Sequence, residues 1–292
     1  MDKKLNIVPL KDLNLTDRFL FDEVMEDRQT HQDVLEIIFQ KEISLLSVSE
    51  TEKEVRVSPL SRSIRMDVFA IDEESKVYNT EMQQKKRTDL AKRSRYYQSM
   101  IDTGLLEPGI PSYNLLNDSC IIMITPFDLF GYGKYQYTFV PVCREEPECI
   151  LEDGAARIFL NTRGTNPEEV PQELVELLHY LEHTTEEEAA KSGSPRIRRI
   201  HNRVCKVKNS EEIGVRYMQA WEEKYYDREE AREEGRKEGL EQGLEQGLER
   251  GLEQGKILLV KNMLQNGLSE EAVKKYAKVT DQEIKQAKAG NP

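Results

Sequence analysis

The sequence predicts an α/β fold, a mixed α/β core followed by a mostly α-helical C-terminal extension. Residues 65–83 read as two short strands around a polar turn. Residues 119–125, S-C-I-I-M-I-T, form an unbroken apolar run of strand length. From Pro167 onward the apolar residues recur at helical spacing.

A chain of 292 residues holds one or two domains with proper cores. With 38% hydrophobic and 33% charged residues it is polar but globular, so part of it is expected as extended, solvated helix. A formal net charge of −12 argues against a protein that coats nucleic acid generally, and leaves room for a local basic groove. The opening M-D-K-K-L-N-I-V-P-L lacks the apolar run of a signal peptide, and no stretch is long enough to cross a membrane. The expected place is therefore the cytoplasm, with no membrane partner. Cys120, Cys143, Cys149 and Cys205 show no C-x-x-C spacing and read as free thiols.

Asp17 opens a helical pattern with Phe21, Val24 and Met25 on its apolar side. A second helix carries Val34, Leu35, Ile38 and Phe39 on one face. Most acids of this region, among them Asp22, Glu23, Glu26 and Asp27, read as a solvated face, from which one acid can complete a site on a neighbouring element. Strand-like material follows at residues 43–48 and 55–57.

In the hairpin, Ile64, Met66, Val68 and Ala70 alternate with Arg65, Asp67, Phe69 and Ile71. With a loop at residues 73–75, Asp72 pairs with Lys76, and counting back sets Asp67 opposite Glu81 and Arg65 opposite Gln83. Opposed residues hold their Cβ atoms roughly 4.5–5.5 Å apart, and like charges there are destabilising. Phe69, Ile71 and Val77 share that face, so both carboxylates lose part of their solvent. Two acids so placed share a proton or a cation, and a divalent metal is the sharper alternative. A slip of one residue would put Glu81 on the other face and leave an ordinary acidic hairpin.

Directly downstream, Lys85, Lys86, Arg87, Lys92, Arg93 and Arg95 stand against a single acid, Asp89. Thr88 is the expected N-cap, and Leu90, Tyr97, Met100 and Ile101 the buried stripe of a helix. Its cations either grip DNA phosphates or form a solvated face in acidic surroundings. The apolar run at 119–125 then reads as a strand buried on both faces. Further strands are expected at 137–142 and 157–161.

Leu174, Leu177, Leu178 and Leu181 mark the next helix, where His179 and His183 are expected as surface residues rather than half of a metal site. Pro195 starts another helix, and residues 210–234 continue as helix. Gly235, Gly239, Gly243, Gly247, Gly251 and Gly255 then fall every fourth residue, with a leucine after four of them. Glycine inside a helix costs roughly 0.8–1.0 kcal/mol relative to alanine. A period of four also drifts around the helix instead of keeping a heptad seam. A marginal helical linker is expected, with close approach in a homo-oligomer through the C-terminal helices as the alternative. A turn at Asn266-Gly267 and a short helix capped by Ser269 finish the chain.

Taken together, several segments resemble the PD-(D/E)XK nuclease superfamily, in its Rpn branch of recombination-promoting nucleases, also described as PD-(D/E)XK nuclease family transposases. They are D-R-F-L-F-D-E-V-M from Asp17, R-M-D-V from Arg65, E-M-Q from Glu81, K-R-S-R-Y-Y from Lys92, F-D-L-F from Phe127, and the Glu/Gly repeats. The resemblance implies a restriction-endonuclease-like core of αβββαβ order, a divalent metal (Mg2+ or Mn2+) and cleavage of DNA phosphodiester bonds. By position, Asp67 and Glu81 would hold the metal. Gln83 stands where a lysine is usual and offers an amide instead of a positive charge. Asp17, ahead of Glu23, is the acid expected from the first helix. The division that follows is a nuclease-like core at 1–165, a helical extension at 166–234, a repeat helix at 235–255 and a tail at 256–292.

Two functions stay open at this level. One is a metal-dependent DNA endonuclease whose basic helix holds the backbone. The other keeps the scaffold without turnover, as a DNA-binding or protein-interaction module. The glutamine at position 83, the net acidity and the long repeat-bearing tail motivate the second, and the endonuclease is the expected function.

Overall fold

A computed structural model describes residues 7–46, 50–55, 64–106, 109 and 111–289. One six-stranded sheet organises it, built from β1 (Glu50–Val55), β2 (Ile64–Ile71), β3 (Val77–Met82), β4 (Ser119–Thr125), β5 (Gln136–Phe139) and β6 (Ala155–Asn161). The strand order is β1-β2-β3-β4-β6-β5. β1, β2 and β3 run antiparallel, β3, β4 and β6 parallel, and β5 returns antiparallel on β6. Every residue of β4 is buried, as its unbroken apolar run requires of a central strand.

Helices cover both faces. On one side lie α1 (Arg18–Met25), α2 (Arg28–Phe39), α4 (Gln172–Glu182) and α6 (Pro195–Lys208), with the short α5 (Glu186–Lys191) beside them. Leu20, Val24, Leu35, Ile38, Leu177 and Ile200 pack there with Val68, Tyr78, Ile122 and Ile124 of the sheet. On the other side α3 (Leu90–Leu105) lays Leu90, Tyr97, Met100 and Ile101 on Phe69, Val77, Ile121, Met123 and Phe159. The order α, β1-β2-β3, α3, β4 is the one the resemblance implies.

Local chemistry sets the helix ends. Asp17 caps α1, accepting from the N–H groups of Phe19 (3.0 Å) and Leu20 (3.4 Å). Asp27 caps α2 through the Thr30 N–H at 2.9 Å. Ser194 caps α6 with Pro195 in its first turn, where a missing N–H costs nothing. At α3 the expected cap moves. Asp89, not Thr88, takes the N-cap position, and without a side-chain cap bond, because its carboxylate is held by Arg87.

Two strands differ from expectation in their bounds. β1 reads E-T-E-K-E-V, an edge strand whose polar residues hide the strand period, and it begins five residues before the expected 55–57 segment. Val48 and Val57 lie outside the described residues. β5 ends at Phe139, and Val142 pairs instead with Ile150 in an isolated bridge. α5 escaped the sequence reading because six residues of E-E-E-A-A-K show little apolar periodicity.

The chain divides into two compact units, Met1–Tyr217 and Met218–Pro292. α7 runs unbroken through the repeat, from Glu211 to Gln265. It ends in a Schellman motif, with Gly267 at φ +86°, its N–H on the Leu264 carbonyl and the Leu268 N–H on that of Met263. α8 (Glu270–Ala277), capped by Ser269, and α9 (Asp281–Ala289) follow, and Val260, Val273, Val279 and Ile284 form a small core among them. Among the described residues no helix is long and apolar enough to cross a membrane.

Candidate active site

The hairpin register is fixed at its turn. Asp72 donates its N–H to the Lys76 carbonyl at 3.0 Å, and its carboxylate accepts from the Glu74 and Lys76 N–H groups and from the Tyr78 hydroxyl. The paired register then runs from Ile71↔Val77 to Val68↔Thr80. One step further the same count sets Asp67 opposite Glu81, as expected from the sequence.

At that step the side chains enter the ladder. The Asp67 N–H donates to Oε1 of Glu81 at 3.0 Å, and the Met82 N–H donates to Oδ2 of Asp67 at 3.1 Å. Ile64 and Met66 also pack in the same cluster as Phe69 and Ile71, so the strict alternation expected along β2 is interrupted at Asp67. Both acids are only 2% exposed.

Each inner oxygen thus rests on backbone, and each outer oxygen meets a guanidinium. Arg18 of α1 pairs through Nη2 with Oδ1 of Asp67, and its Nε lies 3.5 Å from Oδ2 of Asp22 one turn along. Arg93 of α3 places Nη2 3.1 Å from Oε2 of Glu81 and donates through Nη1 to Oε1 of Gln83 at 2.9 Å. Its Nε donates to the Tyr97 hydroxyl at 2.9 Å. Asn79, fully buried, donates its amide to Oε1 of Glu81 at 3.1 Å. Burial, with Asp67 alongside, pushes the Glu81 carboxyl well above the ordinary range, against the pull of the Asp67 N–H, Arg93 and Asn79.

Gln83 leaves β3 with its N–H on the Ile124 carbonyl, and its amide nitrogen donates to the Lys85 carbonyl. The basic segment divides. Arg93 turns inward to the carboxylates, Arg87 pairs with Asp89 in solvent, and Lys85, Lys86, Lys92 and Arg95 are exposed on the outside. Asp17 serves as the cap of α1, and the acid of that helix linked to Asp67 is Asp22, through Arg18. His179 and His183 are exposed, and His179 hydrogen-bonds the Tyr135 hydroxyl.

Among the described residues no three His, Cys, Asp or Glu side chains gather into a metal-binding group. Asp67, Glu81 and the Gln83 amide offer oxygen atoms alone, a hard donor set of the kind Mg2+ and Mn2+ take. The donor chemistry fits. Two guanidinium groups lie on the oxygens such an ion would use.

A family model for PD-(D/E)XK nuclease family transposases matches residues 18–235. The chain belongs to that family. Asp67, Glu81, Gln83 and the whole basic segment fall inside the match, and Asp17 falls one residue before it. Membership of the PD-(D/E)XK nuclease family transposases supports a nuclease-type function. No curated protein and no solved structure matches the chain.

Sequence reading missed Arg18, Asp22, Asn79 and Tyr97 as members of this site. Asn79 could have been found, since it sits two residues before Glu81 and so on the same strand face. Arg18 and Asp22 stand one helical turn apart, and an exposed i,i+4 ion pair is the ordinary meaning of that spacing.

Proposed function

We propose that this chain is a metal-dependent DNA endonuclease that hydrolyses phosphodiester bonds, linked to recombination or to mobile elements. The observation that carries the reading is the cross-bonded pair of Asp67 and Glu81, two buried acids on adjacent strands with their outer oxygens turned to cations. Asp67 and Glu81 would hold Mg2+ or Mn2+, which supplies charge neutralisation and water activation when bound. In the reaction a water oxygen bonds to phosphorus, one P–O ester bond breaks, and the departing oxygen takes a proton, leaving a phosphate monoester and a hydroxyl.

Residues of the chain set up that step. Backbone bonds from Asp67 and Met82 and the Asn79 amide fix the carboxylates' orientation, so little reorganisation is needed. Gln83 orients the attacking water through its amide. Lys85, Lys86, Lys92 and Arg95 hold the DNA backbone without reading sequence. The test is nicking of supercoiled DNA with Mg2+ or Mn2+. Cleavage that disappears in Asp67→Ala and Glu81→Ala, with the fold intact by circular dichroism, supports the reading, and cleavage unchanged in those variants sinks it.

One observation favours a second reading, a nuclease-fold protein that binds DNA or a protein without turnover. Both outer oxygens are already neutralised by Arg18 and Arg93, and Gln83 brings no charge. Calorimetry with Mg2+ separates the two, because metal binding that depends on Asp67 and Glu81 belongs to the first alone. Homo-oligomerisation through the C-terminal helices is part of the proposal. Leu240, Leu244, Leu248 and Leu252 are each more than 60% exposed on α7.

A further inference from the structure

Arg93 and Arg18 both neutralise an acid of the site, but they are held differently. Arg18 has a carboxylate on either side, Asp67 and Asp22. Arg93 has one carboxylate, Glu81, and its remaining nitrogens rest on neutral groups, the Gln83 amide oxygen and the Tyr97 hydroxyl, with the Tyr97 ring 4.8 Å from its guanidinium carbon. Its side chain is about a quarter exposed (24%). It also stands on the helix that carries the exposed Lys92 and Arg95.

A divalent cation and a guanidinium compete for the same Glu81 oxygen. Cation binding would cancel the charge that holds Arg93 and add a repulsion between like charges in a poorly solvated place. Neutral partners alone hold a guanidinium weakly, whereas a phosphate binds it in a two-pronged, charge-assisted fashion. We propose that Arg93 is a shared cation, held on Glu81 and Gln83 when no metal is bound and passed to a DNA phosphate when a divalent cation takes Glu81. Metal binding and DNA binding are then coupled through this one side chain. Arg93 thereby brings to the phosphate the positive charge that Gln83 lacks. This rests on reading Asp67 and Glu81 as a metal–phosphodiester site.

The experiment is fluorescence anisotropy of a short DNA duplex with the full chain, in EDTA and in Ca2+, which binds oxygen sites without rapid turnover. Wild type should bind about tenfold tighter in Ca2+, within the usual range of site–site coupling. Arg93→Ala should lose most of that gain while binding within about twofold of wild type in EDTA. Arg93→Gln, which keeps a hydrogen-bonding amide without charge, should behave the same and serves if the alanine variant unfolds. Lys92→Ala, an exposed phosphate contact, should weaken binding equally in both buffers. A full Ca2+ gain in Arg93→Ala, an equal loss in both buffers, or no gain in wild type would overturn the proposal. Coupling through Arg93 in a protein that cuts nothing with Mg2+ or Mn2+ would leave this inference standing and remove the nuclease reading. Cutting together with an unchanged gain in Arg93→Ala would do the reverse.

Discussion

The backbone N–H of Asp67 donates to the carboxylate of Glu81 at 3.0 Å, where a strand pair ordinarily joins backbone to backbone. Glu81 therefore has a structural duty as well as a chemical one, and two substitutions separate them. Glu81→Gln keeps an oxygen for that N–H and removes the titratable acid beside Asp67. It should change unfolding stability in EDTA by less than about 1 kcal/mol. Glu81→Ala leaves the N–H without its acceptor, at a cost of about 1–3 kcal/mol. Both should abolish metal-dependent nicking. Urea unfolding of the two proteins, run beside the nicking assay, checks this, and equal stability losses would show that the bond contributes little.

Asn79 supports the same oxygen from within its own strand. Asn79→Ala should destabilise the protein by about 1–2 kcal/mol through the lost bond and the space left behind. Nicking should fall about tenfold, because an oxygen that wanders costs catalysis more than it costs binding. Rates measured at several DNA concentrations should show the loss in kcat with KM nearly unchanged.

A pH dependence follows from a residue on the helical side. His31 is fully buried with Nε2 3.1 Å from the Thr80 hydroxyl, and burial holds its imidazole down to about 3. In the unfolded chain it titrates near an ordinary value of about 6.5. Between those values the unfolded state takes a proton that the native state refuses. Stability is thus fully present above about pH 6.5 and falls on acidification below it, by up to about 1.4 kcal/mol per pH unit from this one group. Urea midpoints at pH 7, 6 and 5 should show the slope, and His31→Gln should flatten it whatever its overall stability.

The repeat helix gives a prediction of the opposite sign. A Cβ added at Gly239, Gly243, Gly247 or Gly251 meets nothing within 4 Å. Alanine there should strengthen α7 by about 0.8–1.0 kcal/mol per site, seen as slower amide hydrogen exchange across residues 235–255. If the glycines serve close approach between copies, the same substitutions should weaken self-association in sedimentation, the outcome that would assign them to an interface.

Much of this was legible in the sequence. The hairpin period and its polar turn placed Asp67 against Glu81, because a two-residue repeat and one turn determine a register. The apolar run at Ser119–Thr125 declared the central strand for an equally simple reason. Arg93 was visible as a cation, but whether it faced solvent or Glu81 depended on how α3 lies across the sheet, a matter of packing between residues 12 apart. Arg18 reaches Asp67 from the other layer altogether, 49 positions away in sequence, and no local pattern carries that information. Asp17 misled because a helix cap and a metal ligand are the same residue type at the same helix end. The extent of α7 was legible too, from helical spacing before the repeat to the turn at Asn266-Gly267, because Glu, Gln and Leu between the glycines favour helix.

Arg18 and Arg93 offset the negative charge of the two buried acids, and that has a consequence at distances far beyond hydrogen bonding. An approaching polyanion is not repelled by the buried acids, whose field is cancelled within the site. What it meets is the general negative field of a chain of net charge −12, broken by the exposed Lys85, Lys86, Lys92 and Arg95. Encounter with DNA should consequently be slow at low ionic strength for so cationic a patch, and less impeded as salt screens the surrounding acids. Binding once made should weaken with salt in the usual way. Association and dissociation rates would then respond to salt in the same direction, both rising, a kinetic signature that a uniformly basic nuclease surface does not produce.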